Sequence, residues 1–364
     1  MIFYFVIMVL TLMLAAFTTS YKNSIENSKT LNNVLVYKLF IWITALPIIL
    51  VSGLRTYDIG TDTGGTYYYI FLNVRNNGIS NIRDVGYALI NQLSLLITES
   101  YSGVLVLTTI MFCGMAMHAI FKQSKNPVMS CLLLFTTNVF FISMNMVRQS
   151  IATMIFIVAI PYLKDRKFVK FAVLILLGAS IHIISIIYIF FYFVCQIRMT
   201  KAKVLGGCLM VLIVGNILAS IFKIVVTRVS YLSKYFSWYL TSNFNSGEVN
   251  WFSLLVEMGI IAFLLLIYDH AKKDDTYRIV LWLNFIALSV LLISSRIPLA
   301  QRISWLFSFP NFVYLPQCIN YIKNPSNRKI ISVFINMMFF IYMFITIFIR
   351  GYHDVVPYDS IIGN

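Results

Sequence analysis

Apolar runs of about 15 to 21 residues recur along the whole chain, separated by short polar links, and this is close to the length a helix needs to cross a hydrocarbon core. Only helices and closed barrels satisfy every backbone group inside lipid, so runs of this length predict membrane-spanning helices. Spans are expected near 2–18, 34–54, 102–121, 128–147, 149–163, 171–181 with 183–195, 203–221, 254–269, 279–294, 303–322 and 330–349. The first run is expected to stay as a helix and not to act as a cleavable leader, because no basic residue precedes it and a second span follows after a short polar link.

Basic residues in the short links set the orientation. Lys22 and Lys29; Lys122 and Lys125; Lys164, Arg166, Lys167 and Lys170; Arg198, Lys201 and Lys203; Lys272, Lys273 and Arg278; and Lys323, Arg328 and Lys329 define six cytoplasmic links with seventeen charges. Both 164–170 and 196–203 must then be cytoplasmic, so 171–195 reads as a hairpin of two short helices with Ser180, Ile181 and His182 at its apex. The expected fold is an all-α polytopic integral membrane protein with about 12 crossings, both termini outside, forming a single transmembrane domain over 1–364. Two sizeable extracytoplasmic loops remain, 55–101 and 222–253, and residues 79–98 of the first have the spacing of an interfacial or re-entrant helix.

Composition agrees with this reading. The chain is 60% hydrophobic and 11% charged, with a mean hydropathy of +0.84, far from the usual soluble domain. A net charge of +15 is a common mark of nucleic-acid binding, but no basic run is interleaved with aromatics on a soluble fold, so no nucleic-acid partner is expected. Cys113, Cys131, Cys195, Cys208 and Cys318 fall in or beside spans without metal-type spacing, so neither a disulfide nor a metal site nor any other cofactor is expected.

The threading leaves ten basic residues outside, where they are disfavoured: Arg55, Arg75, Arg83, Arg148, Lys223, Arg228, Lys234, Arg296, Arg302 and Arg350. Eight are arginine, whose planar fork pairs bidentately with phosphate or carboxylate. Snorkelling to lipid headgroups is the plain alternative for any one of them; an anionic ligand on the outer face is the reading for the set. The first loop opens V-S-G-L-R-T-Y-D-I-G-T-D-T-G-G-T-Y over 51–67. Gly60, Gly64 and Gly65 would let backbone N–H groups approach an anion, Arg55 supplies charge, and Asp58 or Asp62 can accept a proton. Arg148 stands between two spans, where an arginine is costly unless it faces a polar cavity. His182 is either a satisfied structural histidine or an acid/base or phosphate-contacting group. Arg296 and Arg302 flank Pro298, which breaks a helix and would make a pocket rim. In the second loop, Tyr231, Tyr235, Trp238 and Tyr239 form either an interfacial aromatic belt or a surface for stacking on sugar rings.

These segments resemble, in order and over nearly the whole chain, the EpsG family of Wzy-type polysaccharide polymerases: G-L-R-T-Y-D-I-G-T-D-T-G-G-T-Y at 53–67, R-Q-S-I-A at 148–152, A-S-I-H at 179–182, R-I-S-W at 302–305 and V-P-Y-D-S at 356–360. The resemblance implies a GT-C-like membrane glycosyltransferase in the cytoplasmic (inner) membrane with its active site facing the periplasm or exterior. It would join oligosaccharide repeat units carried on undecaprenyl pyrophosphate, in O-antigen or exopolysaccharide synthesis, with membrane lipid and a chain-length regulator protein as partners. Where the family leads one to expect a glutamate before the interfacial helix, this chain has Asp84.

The residues fit that chemistry on their own terms. Pyrophosphate is a good leaving group, so cationic stabilisation by Arg55, Arg148, Arg296 and Arg302 would serve without a metal. Asp62, Asp58 or His182 could take the proton of the attacking hydroxyl, and direct attack would invert the anomeric carbon. Tyr67, Trp238 and Tyr239 are the expected glycan contacts. The alternatives are a lipid-linked oligosaccharide flippase or other transporter, which should place charges near mid-membrane and show related halves, and an O-antigen ligase-like transferase using the same donor. Intramembrane ions are few, chiefly Lys38 and Glu257, and no internal repeat is visible. The orientation has a direct test: a topology reporter fused after Asn32, Lys167 or Lys201 should report cytoplasm, and one after Gly247 should report the outside. Opposite sides for Lys167 and Lys201 would refute the hairpin.

Overall fold

The computed structural model describes residues 1–26, 30–79, 82, 84–228, 233, 250–296 and 299–361. Among them the regular structure is helical, with one isolated bridge between Arg55 and Ser360. The helices track the apolar runs. In chain order they are α1 (Ile2–Ser24), α2 (Leu31–Gly53), α3 (Tyr68–Asn77), α4 (Val85–Leu95), α5 (Ser102–Gln123), α6 (Pro127–Thr136), α7 (Val139–Asn145), α8 (Val147–Lys164), α9 (Phe168–Ile181) and α10 (Ile187–Val194). Then follow α11 (Lys201–Arg228), α12 (Trp251–Ala271), α13 (Asp275–Leu292), α14 (Ala300–Ser308), α15 (Asn311–Ile319) and α16 (Pro325–Met343). Eight helices among the described residues are long and apolar enough to cross a membrane, nine if the bent pair α6 and α7 makes one span. The other expected crossings are built from shorter pieces: α9 has 14 residues and α10 has 8, while α14 and α15 have 9 each. The chain is a multi-pass membrane protein.

Expected as one transmembrane domain, the chain divides into two compact units. The first comprises Met1–Phe193, Asn311–Asn320 and Ser326–Asn364; the second comprises Val194–Pro310 and Tyr321–Pro325. Lipid is as apolar as a leucine side chain, so helices in it associate through close packing of small residues and through hydroxyl bonds. Both devices hold the first unit. Gly53 of α2 lets Val106 of α5 approach, Gly114 of α5 makes room for Trp42, and the hydroxyls of Ser52 and Thr109 lie 3.1 Å apart. Thr18 and Thr44 join α1 to α2 in the same way at 2.9 Å.

Helix breaks carry the sequence's specific instructions. Asn126 caps α6 by accepting from the Met129 N–H at 3.1 Å, with Pro127 at the first helical position. Between α6 and α7 the axis bends by 51°. Asn138 makes the bend in the left-handed region, at φ 65°, which asparagine tolerates better than most residues, and its Nδ2 donates to Thr346 Oγ1 at 2.7 Å.

The segment after α2 is more helical than its glycines suggest. Gly64 and Gly65 lie in a single π turn, Thr63–Tyr67, that runs directly into α3, so they do not form the open anion-binding loop expected for 60–65. The buried positions Thr63, Tyr67, Phe71 and Val74 recur every three to four residues, one face of a helix that the T-G-G run disguises. The helix expected within 79–98 is α4. In the second unit α11 continues to Arg228, past the expected loop start at 222. Basic residues at one end of that unit are paired: Lys201 Nζ meets Asp269 at 2.8 Å and Arg278 meets Asp275 at 2.6 Å, while the Arg278 Nε donates to the Cys195 carbonyl at 2.9 Å.

Residues 351–361 fold back onto the loop that follows α2. The Tyr358 hydroxyl donates to the Val51 carbonyl at 3.1 Å, the Thr56 N–H to the Asp359 carbonyl at 3.2 Å, the Gly60 N–H to the Asp354 carbonyl at 3.0 Å and the Ile361 N–H to the Leu54 carbonyl at 2.9 Å. The Tyr4 hydroxyl reaches the Val355 carbonyl at 2.6 Å. Gly60 has φ 98°, and a Cβ there would lie 2.9 Å from the Met144 carbonyl oxygen. Gly60→Ala should therefore cost about 1–3 kcal/mol in stability, read as a lower unfolding midpoint in detergent. Gly65→Ala, where a Cβ would meet nothing within 4 Å, is the matched control and should stay near wild type.

Candidate functional site

Three helix ends of the first unit converge on one carboxylate. Asp84 precedes α4, Arg148 lies in the first turn of α8, and His182 follows α9. Arg148 Nη1 donates to Asp84 Oδ2 at 2.5 Å, and the two side chains are only 16% and 4% exposed. His182 Nδ1 stands 3.9 Å from the same oxygen, which is electrostatic proximity and not a hydrogen bond. The guanidinium also lies against aromatic rings, 5.0 Å from the centroid of Tyr67 and 5.7 Å from that of Tyr87, the range of a cation–π contact. Burial pushes the Tyr87 phenol well above its usual range, so this ring meets the arginine as a neutral group.

Gly86 explains why Asp84 can reach this point. A Cβ at Gly86 would lie 2.4 Å from Ser180 Oγ and 2.9 Å from the Ser180 backbone, so only glycine allows α4 to press against the end of α9. On the other side, Gly178 brings α9 within van der Waals contact of Ala152 in α8.

Of the expected site residues, Arg148, His182 and Tyr67 come together here, with Asp84 as their shared centre. Asp62 is nearby in the chain's weave: its N–H donates to Asn145 Oδ1 at 2.7 Å, and Asn145 ends α7 three residues before Arg148. The Asp62 residue is partly exposed and Asp58 is exposed. Arg55 stands apart from the expectation that it binds a substrate phosphate. It is 1% exposed, its Nη1 donates to the Ser52 carbonyl and hydroxyl, and its Nη2 donates to the Met144 carbonyl at 3.0 Å. Burial lowers its pKa from the ordinary arginine value, opposed by the nearby phenols of Tyr101, Tyr4, Tyr87 and Tyr358. Its two terminal nitrogens thus tie the end of α2 to α7, while its Nε has no hydrogen-bond partner, and this ties the side chain to the fold.

Arg296 and Arg302 belong to the second unit, at the turn between α13 and α14 and in the first turn of α14. Arg296 crosses Gly215 of α11, where a Cβ would meet Nη1 at 2.5 Å. Arg83, Lys234, Tyr231, Tyr235, Trp238, Tyr239 and Pro298 lie outside the described residues. Among the described residues there is no cluster of three or more metal-type ligands.

Sequence reasoning noticed Asp84 only as a departure from an expected glutamate. Its signal was a lone carboxylate just before a helix, two residues ahead of a glycine in that helix's first turn. Asn145 and Tyr87 carried no signal of their own, since an amide or a phenol in an apolar run usually satisfies itself locally.

Three helix ends of the first unit thus gather a buried carboxylate, an arginine and a histidine in one place. A family model for the EpsG family matches residues 38–360, and the chain belongs to that family, one of Wzy-like polysaccharide polymerases. No curated protein and no solved structure matches the chain.

Removing one partner of a buried pair leaves an uncompensated charge. Asp84→Asn should therefore destabilise the protein by about 3 kcal/mol, and Asp84→Asn combined with Arg148→Gln should recover most of the loss. Denaturant or thermal midpoints in detergent, arranged as a double-mutant cycle, check this; additive losses would mean that the two side chains do not interact.

Proposed function

We propose that this protein polymerises oligosaccharide repeat units carried on undecaprenyl pyrophosphate at the outer face of the cytoplasmic membrane, as a metal-independent, inverting transferase with about twelve crossings and a GT-C-like fold. Family membership supports the polymerase class. The observation that carries the mechanism is the Asp84, Arg148 and His182 cluster at the ends of α4, α8 and α9.

In this reading the acceptor hydroxyl oxygen attacks the anomeric carbon of the donor glycan. The bond from that carbon to the phosphate oxygen breaks, and the electron pair leaves with undecaprenyl pyrophosphate. Arg148, at the electropositive start of α8, stabilises the departing phosphate. Asp84 holds that guanidinium in place beforehand, and an incoming phosphate competes with it for the fork. His182 takes the hydroxyl proton, with Asp84 stabilising the imidazolium that forms; the 3.9 Å gap would close when substrate fills the site. Asp62 is the rival base. Tyr67 offers a face for a sugar ring. Arg55 is left out of the phosphate set because its terminal nitrogens are held by Ser52 and Met144, while Arg296 and Arg302 are assayed beside Arg148.

Reconstituted enzyme with purified lipid-linked repeat unit tests the assignment. Arg148→Lys keeps the charge and loses the fork, so it should lower turnover by about tenfold or more; Arg296→Lys and Arg302→Lys are read in the same assay. His182→Ala should abolish turnover while donor still binds, and Asp62→Asn should retain turnover. The reverse pattern moves the base to Asp62. In cells, deletion should remove the glycan ladder and leave single capped units; loss of all export would identify a flippase instead.

A further inference from the structure

Besides its backbone bonds, the tail after α16 reaches the site loop through a side-chain relay. Asn145 Oδ1 accepts two donors, the Asp62 N–H at 2.7 Å and the Thr61 hydroxyl at 3.1 Å. Its carbonyl end is therefore fixed toward the loop, and its amide Nδ2 must be the atom that faces His353 Nδ1 at 3.0 Å. An amide nitrogen can only donate, so Nδ1 must accept, and the His353 ring must be neutral with its proton on Nε2. The backbone here is unusual as well. Gly351, His353 and Asp354 have φ of 63°, 74° and 49°, a run of left-handed positions in a segment otherwise held by the tail's bonds to the loop. Residues kept in such regions persist where the surroundings over-determine them, and they cluster at functional sites.

We propose that His353 is a positioning residue of the site: as a neutral hydrogen-bond acceptor it locks Asn145, and through Asn145 it sets the Gly60, Thr61 and Asp62 loop beside the start of α8. The importance of the Asp62 loop to catalysis rests on the polymerase reading; the lock itself does not. A second proton on His353 would set an N–H donor against the Asn145 Nδ2 donor in place of the present acceptor, breaking the bond and loosening the loop. The charged and titratable groups on the segments packed here are Asp58 and Asp62 on the loop and Arg350, Tyr352, Asp354, Tyr358 and Asp359 on the tail, while α7 carries none.

The test is hydrogen–deuterium exchange on the full-length protein in detergent, following the peptide that contains the Asp62 and Thr63 amides. His353→Gly relieves the left-handed backbone and removes the acceptor; it should raise exchange of this peptide by about tenfold, the effect of losing one partly buried hydrogen bond. His353→Asn places an oxygen near the position of Nδ1 and tolerates positive φ, so it should restore protection. Wild-type protection should fall on acidification, while His353→Asn, which keeps every carboxylate, should stay protected over the same interval. Unchanged exchange in His353→Gly, or an equal acid response in His353→Asn, overturns the proposal. The ladder assay is scored separately: loss of the lock with no polymerase activity in wild type would refute the functional reading and leave the lock standing.

Discussion

A guanidinium and a carboxylate that share a hydrogen bond with almost no solvent around them constrain everything else in the first unit. At an effective dielectric of about 20, unit charges at this separation attract by on the order of 6 kcal/mol, and removing both from water offsets much of that. The pair therefore adds little net stability, but it dictates geometry, because neither charge has an acceptable position without the other. It draws the start of α4 onto the start of α8. The contact is possible because Gly86 lets α4 lie directly on Ser180. His182, two residues further along, is then brought within 3.9 Å of the same carboxylate.

Arg55 and Arg148 show two ways to bury the same side chain. Arg55 is surrounded by backbone carbonyls and by phenols, with its charge disfavoured by burial, and it fixes the path of the chain where α2 gives way to the outer loop. Arg148 has a carboxylate and two aromatic faces, and keeps a sliver of exposure. A carboxylate can be exchanged for a phosphate oxygen without leaving the arginine unpaired. A set of carbonyls that also belong to the fold cannot. That contrast is the physical reason for assigning the chemistry to Arg148 and the scaffolding to Arg55.

Hydropathy made the long helices legible, since a run of apolar residues at membrane length has few other uses. The charges in the links predict a pair of short helices around His182, and short helices, α9 and α10, do stand on either side of it. The glycine-rich opening of the first loop misled for a specific reason: glycine is compatible with an anion-binding loop and with a π turn, and only the buried spacing of Thr63, Tyr67, Phe71 and Val74 distinguishes them. The role of Asp84 was hidden because a pair is a tertiary fact. Nothing local to residue 84 names a partner sixty-four positions away. The tail was hidden more deeply, since V-P-Y-D-S reads as a motif without a destination until its backbone bonds to the loop after α2 are seen.

The site's residues all sit where a helix stops. Asp84 precedes α4, Asn145 ends α7, Arg148 opens α8 and His182 ends α9. A helix end exposes backbone donors or acceptors that its own turns cannot satisfy, and within a membrane such ends are tolerated only where protein or a polar cavity surrounds them. Gathering several ends in one place meets that demand once for all of them, and it concentrates backbone dipoles where a charged ligand would need them. The left-handed Asn138 between α6 and α7 and the break at His182 after α9 fall at such ends. In the proposed reading, a chain that handles a charged group at the edge of lipid has to break its helices, and it breaks them together.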